Sequence, residues 1–357
     1  MSHSRAAEEL AARIAATGAV SIAAFMEIAL TGPVGYYTRQ NPLGRTGDFI
    51  TAPEISQMFG ELIGLWCVDT WARLGKPRSF NLVELGPGRG TLMADALRAA
   101  KPAPDFLAAL HLHLVEVNVA LIDAQRERLF GFKPNWLSTL DDLPPGPAIF
   151  IANEFFDALP IHQFEMTEGG WRERVVICSD RGFAFALAAP GPAISLLRPA
   201  HHQAKSGEIA EISPAGLEIA AKIAGHLRRF SGAALVIDYG PAASGLGTSL
   251  QAVKQHRFYD PLQDIGEADL TAHVDFTALA DAVRLQGCRA FGPTTQRDFL
   301  LALGIEPRAA QLQATADENI RAEITAARDR LIGAQEMGTL FKVLAFASPT
   351  LDQLAGI

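Results

Sequence analysis

The sequence predicts an α/β fold built on a doubly wound, Rossmann-like parallel sheet, and three observations carry that reading. Apolar runs of strand length recur at Phe80–Leu85, Leu110–Val117, Ala148–Ala152 and Ala233–Tyr239. Helical patterns separate them, at Thr91–Ala100, Leu121–Phe130 and Pro214–Phe230. The first run ends in Gly86-Pro87-Gly88-Arg89-Gly90, the kind of strand-to-helix turn where such sheets receive ligands. Strand, helix, strand in repetition requires a parallel sheet with helices on both faces.

Upstream of that sheet, Leu10, Ile14, Ile22, Phe25, Met26 and Leu30 indicate two short helices, the second capped by Ser21. The Gly/Pro-dense stretch from Gly32 to Phe49 reads as irregular. Met58, Phe59, Leu62, Ile63, Leu65, Trp66 and Trp71 mark a buried helix from about Ser56 to Gly75, with Pro53 suited to its start. No strand alternation occurs in residues 1–75, so this part is expected to lie on something else as a helical cap or lid. Downstream, a third strand is expected at Trp136–Leu140. Phe164–Phe185 alternates and turns at Glu168-Gly169-Gly170 and Ser179-Asp180-Arg181-Gly182, the pattern of an antiparallel insertion over about 164–205. Ala189–Pro199 is Pro/Ala-rich and reads as a loop. Phe276–Gln286 is helical, Gln296–Arg330 is helix-rich, and Met337–Ala345 closes the chain as a strand. The expected division is a cap over 1–75 and a core over 76–357, with a helical addition at about 276–330, packed as one unit.

Composition excludes several function classes. Among 357 residues, 31 are Lys or Arg and 39 are Asp or Glu, a net charge of −8. A general nucleic-acid face needs a basic surface, so nucleic acid is not the expected partner. Cys67, Cys178 and Cys288 form no C-x-x-C pair, which excludes a zinc ribbon and a disulfide framework. No metal site is expected, and three separate thiols suit a reducing compartment. No apolar run approaches the roughly 20 residues of a membrane span. Arg5 and Arg13 alternate with Glu8 and Glu9, unlike a secretory or mitochondrial leader. A cytoplasmic location is expected.

The glycine turn admits two ligands. A dinucleotide site wants G-x-G-x-x-G, with a small residue where Thr91 stands and no acid at the strand end. Here Glu84 occupies that end, and an acid sits badly beside a pyrophosphate. It suits a ligand with an ammonium group, such as the methionine end of S-adenosylmethionine. Gly86, Pro87, Gly88 and Gly90 would cradle it beside free N–H groups of the following helix. Glu116, ending the second strand, can accept from ribose hydroxyls in either reading.

A further block, Ala152-Asn153-Glu154-Phe155-Phe156-Asp157, ends the fourth strand on the same side of the sheet, with His162 shortly after. Asn153 is a candidate cofactor contact, and Glu154, Asp157 and His162 are candidates for the reacting substrate. Asp157 could equally cap a turn. His273 and Asp275 form a second candidate pair, or a polar cap before the helix at Phe276. Asp48, Thr51, Glu54 and Gln57 lead into the buried helix and could shape a lid over the cofactor, or simply cap it.

These motifs together resemble the MidA family. Besides the glycine turn and the Ala152–Asp157 block, they include Gly47-Asp48-Phe49-Ile50-Thr51-Ala52-Pro53-Glu54 and Val236-Ile237-Asp238-Tyr239-Gly240. Ala268-Asp269-Leu270-Thr271-Ala272-His273 and Met337-Gly338-Thr339-Leu340-Phe341-Lys342 agree as well. Gly247-Thr248-Ser249-Leu250 departs from the family, which tends to carry an acid before Thr-Leu. The resemblance implies a class I methyltransferase dependent on S-adenosylmethionine and acting on protein. The family's mitochondrial members are associated with symmetric dimethylation of an arginine in a complex I core subunit. For a guanidinium acceptor, Glu154 and Asp157 would clamp the fork and His162 would take a proton. The rival readings are a non-catalytic assembly factor on the same fold and an NAD-dependent oxidoreductase.

Overall fold

The computed structural model describes residues 4–38, 51–254 and 257–357. The described chain resolves into two compact units built from separated stretches. One comprises Ile50–Phe155, Ala220–Ala242 and Phe276–Ile357; the other comprises Met1–Phe49, Phe156–Ile219 and Ala243–Asp275. Both units are discontinuous, so their boundaries fall elsewhere than residue 75.

The first unit holds a seven-stranded sheet: β1 (Phe80–Leu85), β2 (Leu110–Val115), β3 (Asn135–Leu137), β4 (Ala148–Asn153), β5 (Gly232–Tyr239), β6 (Arg289–Thr295) and β7 (Phe341–Ala347). Their spatial order is 3-2-1-4-5-7-6. Strands β1 to β5 pair in parallel, as the alternation of strand and helix predicts, and β7 runs antiparallel between β5 and β6. Every residue of β1, β4 and β5 is buried, as a sheet covered on both faces requires. The order reverses between β1 and β4, so their C-terminal ends form the topological switch point where ligands bind such sheets.

Helix Gln57–Arg73 covers this sheet and packs on helix Thr91–Ala99, which directly follows the glycine turn. Gly60 and Gly64 make that packing possible. A Cβ on Gly60 would lie 2.6 Å from Asp95 Cβ, and one on Gly64 would lie 2.6 Å from Ala96 Cα and fall on its carbonyl. Glu61, between them, is buried and accepts from the guanidinium groups of Arg98 (3.0 Å) and Arg308 (2.7 and 2.9 Å). This salt bridge ties the helix to its neighbour and to helix Ile305–Gln313. The buried helix starts after Ser56, whose hydroxyl accepts from Met58 N at 3.2 Å. Pro53 therefore starts a separate one-turn helix, Ala52–Ile55, because extended Ser56 breaks the run.

In the second unit the two N-terminal helices are Arg5–Thr17 and Ile22–Leu30, and Ser21 caps the latter by accepting from Ala24 N at 3.2 Å. The antiparallel insertion is present as strands His162–Thr167, Gly170–Ser179 and Gly182–Ala188, turning where the sequence indicates. Ile209–Ile212 joins its edge at His162–Thr167, and the two-residue strand Val20–Ser21 pairs antiparallel with Gly170–Ser179, which corrects the expectation of a strand-free N-terminal segment. A three-stranded sheet centred on Gln251–Lys254 is a further addition that the sequence reading lacks. Within the expected loop Ala189–Pro199, Pro192–Leu196 forms a short 3-10 turn.

Candidate active site

At the tip of β1, Glu84 is 2% exposed and its Oε2 has no hydrogen-bond partner among the described residues. Burial pushes its carboxyl up to about 8. An isolated buried carboxyl is costly unless a cation meets it. The turn that follows is shaped by three glycines in the left-handed region: Gly86 at φ +61°, Gly88 at +53° and Gly90 at +76°. Pro87 closes the turn by accepting from Gly90 N at 2.8 Å, and Gly86 N donates to the Val115 carbonyl of β2 at 3.2 Å. A Cβ on Gly86 would also press within 3.0 Å of the Phe155 ring. Gly90 then caps helix Thr91–Ala99, whose free N–H groups open beside the turn.

Glu116 follows β2. Its Oε1 accepts from Val117 N (2.9 Å) and Asn118 N (2.8 Å), and its Oε2 accepts from Gln125 Nε2 (3.3 Å). Burial raises its carboxyl and these three donors oppose the rise. A carboxylate offers about four acceptor sites, so roughly one remains for a ribose hydroxyl. At the end of β4, Asn153 is buried, its Nδ2 donates to Glu154 Oε1 at 3.2 Å, and its Oδ1 has no partner among the described residues. Glu154 itself sits at φ +49°, a strained conformation for a residue with a Cβ and one that recurs at functional strand ends. Its backbone N donates to the Ile237 carbonyl of β5 at 2.9 Å. Phe155 N donates to Asp238 Oδ2 at 3.2 Å, so the β5 tip also fixes this bend.

The segment ahead of the buried helix is anchored to the same tips. Ala52 N donates to Glu154 Oε1 at 3.0 Å, and Glu54 Oε1 accepts from the Thr91 hydroxyl at 2.5 Å. The Arg128 guanidinium lies 3.8 Å from Glu54 and donates to the Thr91 hydroxyl. Thr51 precedes this one-turn helix without a side-chain cap bond, and Gln57 is exposed at the start of the long helix. Asp48 lies outside the described residues.

The remaining candidates belong to the second unit. Asp157 is buried and its carbonyl accepts from Ala272 N at 2.9 Å. His162 opens its strand with Nδ1 2.7 Å from Glu173 Oε1 and stacks on Phe164. His273 N donates to Ser249 Oγ at 2.8 Å, and Asp275 accepts from the Ser244 hydroxyl at 2.9 Å. The divergent loop is held there too: Glu211 accepts from the backbone N of Ser249 and Leu250, and from the Ser249 hydroxyl. Tyr37 donates to Asp269 at 2.9 Å, and burial followed by Asp269 and Asp157 raises its phenol well above its ordinary value. From the sequence Tyr37 reads either as lining a channel or as a core aromatic, and Thr91, Arg128 and Gln125 carry no site role there. For Gln125 a signal existed, since Leu121, Gln125 and Leu129 recur at four-residue spacing on one helix face.

Among the described residues no His, Cys, Asp and Glu cluster could hold a metal ion, and no helix is long and apolar enough to cross a membrane. The donor set at the β1, β2 and β4 tips fits S-adenosylmethionine. The Glu84 carboxyl, whose buried Oε2 has no partner among the described residues, would suit an ammonium, the glycines at 86, 88 and 90 would admit close approach, and Glu116 could accept from a ribose hydroxyl. With the sheet order 3-2-1-4-5-7-6, this defines a class I S-adenosylmethionine-dependent methyltransferase. The model of a family described as S-adenosyl-L-methionine-dependent methyltransferases matches residues 62–294, well over half of the chain, and the chain belongs to that family.

Relatives agree along the chain. The mitochondrial protein arginine methyltransferase NDUFAF7 of Danio rerio is 39% identical, with 94% of this chain and 85% of the relative aligned. The human protein of that name is 34% identical, over 93% of this chain and 81% of its own. A methyltransferase-type protein from Burkholderia thailandensis, crystallised with S-adenosylhomocysteine, superposes with a TM-score of 0.86 at 30% identity, covering 98% of this chain and 93% of that one. The family resemblance and the cofactor read from the motifs are thereby borne out, and the NAD reading is set aside.

Proposed function

We propose that the protein methylates an arginine side chain of a protein substrate, a subunit of respiratory complex I (NADH dehydrogenase) or a similar partner. The supporting observation is the likeness, over more than nine tenths of the chain, to relatives named protein arginine methyltransferases. Bound S-adenosylmethionine supplies a methyl group on a sulfonium, which needs no further activation. The chain's residues have to bind, orient and exclude water. Glu84, the Gly86–Gly90 turn, Asn153 and Glu116 would hold the cofactor. A guanidinium keeps its proton below about pH 12 and spreads its charge over three nitrogens. A carboxylate that pairs with the fork fixes which nitrogen is presented and gathers the charge on the others. Glu154 is the candidate for that role in the sheet unit. Asp157 and His162, carried by the second unit, are proposed as a further guanidinium partner and as the acceptor of the proton that the guanidinium nitrogen loses on methylation. Thr51, Glu54 and Gln57, with Asp48, are proposed to shape a lid. Free Cys67, Cys178 and Cys288 suit the reducing cytoplasm proposed as the place of action.

The test is incubation with labelled S-adenosylmethionine and host lysate, and separately with purified complex I core subunits, followed by mass spectrometry. Label on an arginine of one protein supports the proposal. Tight binding of S-adenosylhomocysteine with no labelled protein would point instead to a non-catalytic assembly factor.

A further inference from the structure

Gln125 is fully buried in helix Val119–Arg128, yet its amide meets three different elements. Nε2 donates to the Gly88 carbonyl in the glycine turn at 2.7 Å and to Glu116 Oε2 at 3.3 Å. Oε1 accepts from Trp136 Nε1 in β3 at 2.8 Å. An indole N–H only donates, so Trp136 fixes which end of the amide is oxygen. The NH2 end is thereby forced toward Gly88 and Glu116. Reversed, the amide would set an oxygen against a carbonyl and a carboxylate, and a donor against a donor. The β-carbon of any residue replacing Gly90 would come within 3.4 Å of Gln125 Cγ, so the side chain also backs the end of the turn.

We propose that Gln125 is a positioning residue for S-adenosylmethionine: it sets the spacing between the glycine turn and the Glu116 carboxylate, with Trp136 locking its amide. Helix Val119–Arg128 contributes this residue from behind the glycine turn, so its effect runs through Gly88 and Glu116. In the cofactor reading given above, on which this role rests, both of those groups, on adjoining strand ends, are proposed cofactor contacts. A side chain that fixes their separation governs affinity for the nucleoside end and leaves the chemical step alone.

The test uses the full chain and S-adenosylhomocysteine titrated by calorimetry, well below the melting temperature. Gln125→Leu keeps the volume and removes both donated bonds, so affinity should fall about tenfold or more. The KM for S-adenosylmethionine should rise while kcat stays within about twofold. Trp136→Phe frees the amide to turn and should produce a smaller loss of the same kind. In a double-mutant cycle with Glu116→Ala, the two losses should be markedly less than additive, because one residue acts through the other. A purely structural role predicts a lower melting temperature with affinity unchanged, or additive losses, and either result overturns the proposal. If Gln125→Leu does not fold, Gln125→Glu and Trp136→Phe carry the same comparison. Unchanged affinity in both would be equally decisive against it.

Discussion

At the scale of single residues, Glu84 carries a charge problem that the proposed ammonium contact would resolve. With its carboxyl raised to about 8 by burial, the free protein at pH 7 holds it mostly protonated. Binding an ammonium requires the carboxylate, so calorimetry in buffers of different ionisation enthalpy should show roughly 0.9 proton released per ligand at pH 7. Affinity should climb about tenfold per pH unit toward that pKa and fall again once the ligand's own ammonium deprotonates. Uptake of protons, or no pH dependence, would remove Glu84 from the ammonium contact. Stability follows the opposite sense. Between the ordinary carboxyl pKa and about 8 the unfolded chain has lost this proton and the native chain retains it, so native stability falls as pH rises, by roughly 5 kcal/mol across the window. Glu84→Gln should therefore melt higher than the parent at pH 8.5 while losing cofactor affinity. Glu154 poses a different question, because one of its oxygens already accepts from Ala52 N. Glu154→Gln keeps an acceptor for that bond and removes only the charge. If the charge addresses a guanidinium, turnover should drop on the order of a hundredfold with cofactor affinity preserved. Full turnover would reduce Glu154 to an anchor for the Ala52–Ile55 turn.

At the scale of elements, the contact between helices Gln57–Arg73 and Thr91–Ala99 shows two effects of opposite sign at one position. Replacing Gly64 by Ala in a helix interior gains about 1 kcal/mol of propensity. The added methyl would fall on the Ala96 backbone, which cannot swing aside as a side chain can. Overpacking of this kind costs roughly 1–3 kcal/mol or more, so Gly64→Ala should be net destabilising and should lower the melting temperature. A rise would mean the helices part easily. Because the second helix carries the glycine turn at its N-terminus, cofactor affinity should weaken as well. The same contact marks what periodicity can and cannot tell. Met58, Phe59, Leu62, Ile63 and Trp66 identify a buried helix, but how closely its partner approaches depends on residues distant in sequence. Strand β6 was hidden for another reason. Arg289-Ala290-Phe291-Gly292-Pro293-Thr294-Thr295 contains a Gly-Pro pair that reads as a turn, whereas the strand is at the sheet edge and bulges there, between Phe291 and Thr294. An edge tolerates a proline that a central strand would not.

At the scale of the whole molecule, what was legible divides along the chain's own geometry. Glu84, Gly86, Gly88, Gly90 and Glu116 lie on short strand–turn–helix stretches, where local sequence dictates local shape, so the geometry of the proposed cofactor half was legible. Glu154 and Ala52 meet across 102 residues of sequence, and no local pattern announces such a pairing. The interleaved units are invisible for the same reason, since the chain leaves each and returns to it more than once. The readable half makes a global prediction. A ligand that binds only the native state stabilises it, by roughly 2.7 kcal/mol at a hundredfold excess over Kd. In a chain of this length that corresponds to a rise of a few degrees in melting temperature. S-adenosylmethionine and S-adenosylhomocysteine should both produce the shift, and NAD should produce none. Gly88→Val should abolish it: Gly88 lies at φ +53°, where a β-branched residue is strongly disfavoured, and its carbonyl is the Gln125 acceptor. The variant's own melting temperature, measured without ligand, separates loss of the site from loss of the fold. A shift with NAD alone would overturn the cofactor assignment. A normal shift in Gly88→Val would show that the turn shapes the chain without touching the ligand.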